Sequence, residues 1–372
     1  MPHRTGERPM SRTETSIAIV GAGVAGLTAR YCLEVAGLPT ETFDKGRGPG
    51  GRTSRRREGS YEFDHGAQYF TVRDPAFRDL VRGWISDGTV QEWKPRIGTL
   101  RRGTWVEQPG GPRYVGVPGM NQPAKNLARM GDEIGAHPVR LSCRIVEARK
   151  RSATASVGGG DAWYLRDTEG AVYGPYLDLV VTVPPPQAAT LLPPSSAALP
   201  LVQEVRIDPC WAVMAVFRET VKVHWDAAFV DGGALSWAAR NSSKPGRSEG
   251  NTWVLHGSPR WSRENLEMEP EEVMRTLTGE FLAAAGYRSE SSSLCVWSAA
   301  HRWRYARPHG TAPGAPERVD SPHRPFWWSG DERLGLSGDW FLGGRVESAF
   351  LSGRSLGTEF GDAPGWRTCS TD

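Results

Sequence analysis

Lysine is scarce in this chain: six of its 45 basic residues are lysine, at positions 45, 94, 125, 150, 222 and 244. Strong charge of one sign is missing as well. The 45 basic residues face 42 acidic ones for a net +3, so no broad field exists to gather nucleic acid or an anionic membrane. The short runs Arg55–Arg57 and Arg101, Arg102 read as solvated loop faces. Cysteine is sparse and odd in number, with five residues (Cys32, Cys143, Cys210, Cys295, Cys369), no C-x-x-C pair and no histidine cluster at metal-ligand spacing. That argues against a disulfide framework and against a zinc site, and it suits a reducing compartment. No run approaches the roughly 18 apolar residues of a membrane span. Residues 1–14 lack the apolar stretch of a signal peptide, so the expectation is a frayed N-terminus on a cytoplasmic protein. There is no internal repeat and no long low-complexity tract.

What remains is an ordinary globular composition, 38% hydrophobic and 23% charged over 372 residues, long enough for two domains sharing an interface. Order is expected to begin at Ser16. The run Ile17 to Val20 predicts a strand, the alanine-rich pattern ending near Gly37 a helix, and Thr40 to Phe43 a second strand, together one βαβ unit. Leu177 to Val183 is a continuous apolar run stopped by Pro184, Pro185 and Pro186, as expected of a doubly buried strand of the same parallel sheet. Strand character also marks Val139 to Ala148 and Trp163 to Arg166, with a glycine turn at 158–160 between them. Trp211 to Phe217 and Thr252 to His256 read as antiparallel strands of a second, mixed domain, and Pro270 to Ala285 as a helix. Strand, glycine pair and small-residue helix recur over Gly335 to Gly357.

Three motifs carry chemistry. Gly21-Ala22-Gly23-Val24-Ala25-Gly26 is a G-x-G-x-x-G turn between strand and helix, built to bring backbone against a pyrophosphate at a helix N-terminus. Asp44, 18 residues beyond Gly26, stands where a carboxylate accepts the hydroxyls of an adenosine ribose. Lys45 opens the loop that leads to Gly50, Gly51 and Arg52, whose guanidinium can neutralise the pyrophosphate. A simple NAD dehydrogenase has no need of this G-G-R turn, whereas in many FAD enzymes the flavin half continues past one. Far downstream, Gly338-Asp339 followed by Gly343, Gly344, Arg345 and Val346 supplies a carboxylate for a ribityl hydroxyl. The helix behind it turns its positive end toward the flavin region that becomes negative on reduction. Small residues Ser348, Ala349, Ser352 and Gly353 would let this helix pack closely.

With Phe63-Asp64-His65-Gly66-Ala67-Gln68-Tyr69-Phe70-Thr71, the strand end Val181 to Gln187 and His301-Arg302-Trp303-Arg304-Tyr305-Ala306, these motifs resemble the FAD-dependent amine oxidase superfamily, within it the small bacterial branch similar to renalase. The resemblance covers about residues 16–357. It implies an α/β fold: a Rossmann-like FAD-binding domain (15–80, 126–190 and 326–360) and a mixed α+β substrate domain with an antiparallel sheet (81–125 and 191–325), with 1–14 and 361–372 as tails. It implies FAD held non-covalently, with Ile145 offering backbone to the adenine, Gly66, Ala67 and Gln68 lining the isoalloxazine, and the Val346 N–H reaching flavin O2. His65 reads as a hydrogen-bonded structural residue rather than a flavin link or a base.

The activity implied is hydride transfer from a dihydronicotinamide-type substrate, an aberrant NAD(P)H isomer, to flavin N5, with reoxidation by oxygen to hydrogen peroxide. Trp303 and Tyr305 are the expected wall of the substrate site, and His256 and Gln68 its orienting polar groups. The alternatives are an FAD-dependent amine oxidase and a non-catalytic redox sensor. Typical amine oxidases hold a lysine near flavin N5 through a water; none lies in Trp211 to Phe217 or Thr252 to His256, the strands expected beside the flavin, which weakens the amine reading. The expected partners are a small-molecule substrate and oxygen, with no nucleic acid, membrane or metal, in a monomer or homodimer.

Overall fold

The computed structural model describes residues 17–101, 103–108, 110–152, 161–287, 294–309 and 324–362. Residues 1–14, Arg102, the turn at 158–160, Cys369 and the tail from 363 on lie outside the described residues.

A five-stranded sheet forms one half, in the order Phe326–Ser329, Leu334–Ser337, Asp178–Val181, Ile17–Val20, Thr40–Phe43. Its last four strands are parallel and the first is an antiparallel edge. Ile17–Val20 has no polar position because both its faces are covered. Ile17 and Ile19 pack with Ala29, Leu33 and Leu356 under the helices Val24–Val35 and Val346–Asp362. Ala18 and Val20 pack on the other face with Ile145, Trp163 and Leu165 of a three-stranded meander. Each fully buried isoleucine contributes about 1.5–3 kcal/mol, so this short strand is held mainly by its neighbours.

The two helices lie against each other as their small residues suggest. A Cβ on Gly353 would meet the Ala25 carbonyl at 2.2 Å, and one on Gly357 would meet the Ala29 carbonyl at 3.0 Å. The strand expected over Val139 to Ala148 begins later, at Ile145, and runs to Ser152. Ser142 has φ 54°, a left-handed conformation that no strand contains, so Arg140 makes only an isolated bridge to Phe43 before the chain turns.

The other half is a seven-stranded sheet, Cys295–Pro308, Ile207–Phe217, Thr252–Gly257, Leu235–Arg240, Ala227–Asp231, Ile97–Arg101, Thr104–Glu107. It is antiparallel except where Ala227–Asp231 meets Ile97–Arg101. The helix Pro270–Ala284 covers one face through Val273, Leu277 and Phe281, each fully buried. No helix among the described residues is long and apolar enough to cross a membrane.

Candidate active site

Four parallel strands end together, at Val20, Phe43, Val181 and Ser337, and a cavity of about 1130 Å³ opens beyond them and extends to the seven-stranded sheet. The crevice past the carboxyl ends of parallel strands is the usual ligand site of such sheets. Its volume exceeds the roughly 300–1,000 Å³ of a pocket for one drug-sized molecule.

At the strand ends, glycine keeps this space open. A Cβ on Gly23 would meet no atom within 4 Å, and one on Gly51 only the Gly23 Cα at 3.9 Å; both residues line the cavity. Gly21 has φ 114°, and a Cβ on Gly26 would lie 2.0 Å from the Gly21 carbonyl, so this glycine seats the helix on the turn rather than facing the cavity. The helix starting at Val24 has no side-chain cap and directs its first turn at the cavity through Val24 and Ala25, a natural anion site. Ala22 does not line the cavity; its N–H donates to Asp44 at 2.6 Å, and the Gly46 N–H donates to the other Asp44 oxygen at 2.6 Å. Lys45 and Ile145 also border this end, joined by Cys143, Arg144 and Val146, the neighbours of Ile145 in the Cys143-Arg144-Ile145-Val146-Glu147-Ala148 stretch.

Midway, the two motifs read separately in the sequence meet. Arg52 forms a two-pronged ion pair with Asp339, Nη1 to Oδ2 at 2.9 Å and Nη2 to Oδ1 at 2.6 Å, and also donates to the Ala306 carbonyl at 3.2 Å. Gly66 abuts this junction: a Cβ there would lie 2.0 Å from the Arg52 carbonyl and 3.3 Å from Trp303. Gly344, Arg345 and Val346 line the same wall, with Val346 opening the final helix.

At the far end, Gln68, Tyr69, Phe229, Trp237, His256, His301, Trp303 and Tyr305 face the cavity. The His65 carbonyl accepts hydrogen bonds from Trp303 Nε1 at 2.9 Å and lies 3.2 Å from His256 Nε2, while its ring stacks on Trp303 with centroids 5.1 Å apart. His65 is therefore a structural keystone of this wall. Gln68 is committed inside the protein: its amide nitrogen donates to the carbonyls of Asp64 and Gly66, and its oxygen accepts from Lys244 at 3.1 Å. It orients the loop rather than presenting a free amide.

No lysine lies in Trp211 to Phe217 or Thr252 to His256, as expected, but one lysine reaches the neighbouring loop from outside those strands. Lys244 lies just beyond Leu235–Arg240 and turns inward, its side chain fully buried, with Nζ 3.3 Å from Asp64 and 5.6 Å from the centre of the Trp93 ring. Burial pulls its pKa down to about 8, against the opposing pull of Asp64. Asp64 also holds Arg247 at 2.6 Å and accepts the Met120 N–H at 2.9 Å. Burial would raise the Asp64 pKa, but Lys244 and Arg247 hold it below the usual carboxylate range.

A sequence profile described as flavin containing amine oxidoreductase matches residues 99–356, and one for an NAD(P)-binding Rossmann-like domain matches residues 19–84. The chain belongs to the flavin-containing amine oxidoreductase family. Solved structures share the fold at low identity. A protein provisionally assigned as a protoporphyrinogen oxidase, from Exiguobacterium sp. 255-15, is 12% identical with TM-score 0.70, covering 94% of this chain and 99% of that one. Putrescine oxidase bound to putrescine is 13% identical with TM-score 0.66 (94% and 99%). Cyclohexylamine oxidase from Brevibacterium oxydans IH-35A is 13% identical with TM-score 0.65 (94% and 99%).

As a member of this family the chain is an FAD-dependent oxidoreductase, and the cavity has the features such a cofactor needs: a glycine cradle, an uncapped helix N-terminus that suits a phosphate, and a lining carboxylate, Asp44, just past the second strand. The two cysteines that line the cavity suit no ready thioether, because burial raises the pKa of Cys143 and pushes that of Cys210 up to about 12, leaving neutral thiols.

The histidines of the flavoenzyme's far wall set an acid limit on stability. Burial, with His301 adding to it, lowers the His65 pKa to about 4, and burial lowers His256 to about 3 despite its hydrogen bond to the His65 carbonyl. An unfolded histidine titrates near 6.5, so below that pH the unfolded chain binds more protons than the folded one. The stability is fully present above pH 6.5 and is lost as pH falls toward 4 and 3, at about 1.4 kcal/mol per pH unit per ring. Replacing His256 with Gln is expected to remove one such slope from urea midpoints measured between pH 4.5 and 6.5; parallel curves for wild type and variant would refute this.

Proposed function

We propose that this flavoenzyme oxidises an anionic, planar dihydropyridine of the dihydronicotinamide type, in the manner of renalase-like enzymes, and passes the electrons to oxygen. The observation that carries this is the charge of the cavity. Lys45, Arg52, Arg144, Arg302, Arg304, Arg307 and Arg345 line it; Arg52 is paired with Asp339, Arg302 and Arg304 with Glu267 and Arg345 with Glu347, which leaves Lys45, Arg144 and Arg307 against one further lining carboxylate, Asp44, toward the cofactor end. Among the described lining residues of the aromatic end there is no carboxylate to receive a cationic amine, whereas a phosphorylated nucleotide meets a favourable field.

Bound FAD supplies a two-electron acceptor that takes hydride and returns the electrons to oxygen as hydrogen peroxide. The protein's own part is positioning. Trp303 and Tyr305 offer flat faces for a planar ring, and a dihydropyridine becomes aromatic on losing hydride, so little acid or base help is required. His256, held neutral by burial, presents an uncharged imidazole that can orient a carboxamide without repelling or protonating it. Asp64, Lys244 and Gln68 lock the loop carrying Gly66. The segments 15–80, 126–190 and 326–360 would together form the cofactor-binding part, and 81–125 with 191–325 the substrate part.

Amine oxidation is the second reading, and Lys244 favours it, since a buried lysine behind the Gln68 loop suits the lysine that amine oxidases place near flavin N5. A peroxide-coupled assay separates the two. Turnover is expected with non-standard dihydronicotinamide dinucleotide isomers at a kcat/KM at least a hundredfold above that for putrescine or cyclohexylamine. The opposite order would assign the amine reading instead.

A further inference from the structure

Along an extended strand alternate side chains share a face. In Cys295–Pro308 the row His301, Trp303, Tyr305, Arg307 lines the cavity, and ring contacts bring His301 and Trp303 to 4.4 Å. The intervening arginines are occupied elsewhere: Arg302 donates to the Leu266 carbonyl and Glu267, and Arg304 pairs with Glu267. Arg52 is paired with Asp339, and Arg345 with Glu347.

Arg307 differs. Its backbone is paired with Asp208 in the sheet, but among the described residues its guanidinium makes no hydrogen bond and no ion pair, although the residue is half-buried. Its cross-strand neighbour Asp208 cannot serve it fully, being held by Arg263 at 2.7 Å and His309 at 3.0 Å. A guanidinium that gives up water without gaining a partner is costly, and it cannot shed its charge as lysine can. The cost is recovered when a ligand brings the anion.

We propose that Arg307 anchors a phosphate of the substrate, fixing which end of the molecule lies against Trp303. This rests on the reading that a phosphorylated dihydropyridine enters the cavity. Arg307 lies four residue steps along the strand from Trp303, about 13 Å along the backbone, which leaves room for a sugar and a phosphate beyond a ring stacked at Trp303. The planar, forked guanidinium suits two phosphate oxygens at once.

The test compares wild-type and Arg307→Gln holoenzymes. Inorganic pyrophosphate, titrated while tryptophan fluorescence is followed, is expected to bind wild type and to bind the variant tenfold to a hundredfold more weakly, the usual loss for a charge-assisted contact. The preference in KM for a dihydronicotinamide mononucleotide isomer over the same riboside without phosphate is expected to fall by a similar factor, with partial recovery in Arg307→Lys. FAD content is expected to stay at one per chain. Pyrophosphate that does not bind wild type, an unchanged preference for the phosphorylated form, or loss of FAD from the variant would each overturn the proposal, the last by assigning Arg307 to the cofactor's own phosphates. Pyrophosphate binding that depends on Arg307 in an enzyme no dihydropyridine reduces would sink the proposed function and leave the anion site standing.

Discussion

Replacing Asp64 with Asn is expected to destabilise the protein by about 3–5 kcal/mol, the usual cost of removing one member of a buried ionic cluster. Asp64 is 2% exposed and holds two cations that are equally buried, Lys244 at 0% and Arg247 at 1%. Without the carboxylate, Lys244 can release its proton, because its pKa is already drawn down to about 8. Arg247 has no such escape, and its remaining hydrogen bonds to the carbonyls of Gly116 and Pro245 do not neutralise it. The effect is read from urea unfolding at pH 7. Adding Lys244→Met to Asp64→Asn is expected to restore part of the loss, since one uncompensated donor disappears with it. A loss below about 1 kcal/mol in the single variant would mean that the cluster is solvated in solution, contrary to its burial here.

Replacing Arg52 with Ala is expected to weaken FAD binding at least a hundredfold, so that the purified variant is largely colourless. Arg52 joins three distant parts of the chain, its own glycine loop, Ala306 on the long strand and Asp339 ahead of the final helix. Its removal leaves the Asp339 carboxylate, 8% exposed in the intact protein, without its cation and beside the surface that receives an anionic cofactor. Arg52→Lys keeps the charge but cannot make the two parallel bonds, and its affinity is expected to fall between the two. Apoprotein titrated with FAD, followed by flavin fluorescence, gives the comparison. An Arg52→Ala affinity within threefold of wild type would show that the junction serves folding and not the cofactor.

Much of the cofactor half was legible because its signals are local. Ile17 to Phe43 holds strand, turn, helix and strand within 27 residues, and the apolar run before Pro184 could hardly be anything but a buried strand. The partnership of Arg52 with Asp339 was not legible, since 287 residues separate them and each motif has a plausible role alone. The inward turn of Lys244 was not legible, because no strand pattern carries it: the chain delivers it from the turn after Arg240, with the Asn-Ser-Ser segment as its local mark. Arg307 could have been found by extending the alternation His301, Trp303, Tyr305 one step past the motif that ends at Ala306. The parallel pairing of Ile97–Arg101 with Ala227–Asp231 has no local signature at all, and only the folded sheet reveals it.

The most direct test of the account is a single anaerobic half-reaction. The purified yellow protein is mixed with one equivalent of a non-standard dihydronicotinamide dinucleotide isomer, and flavin absorbance is followed. The expected result is bleaching of one flavin per equivalent, with recovery of the colour and release of hydrogen peroxide when air is admitted. A flavin that stays oxidised with every isomer, but is bleached by a primary amine, would contradict the proposed substrate.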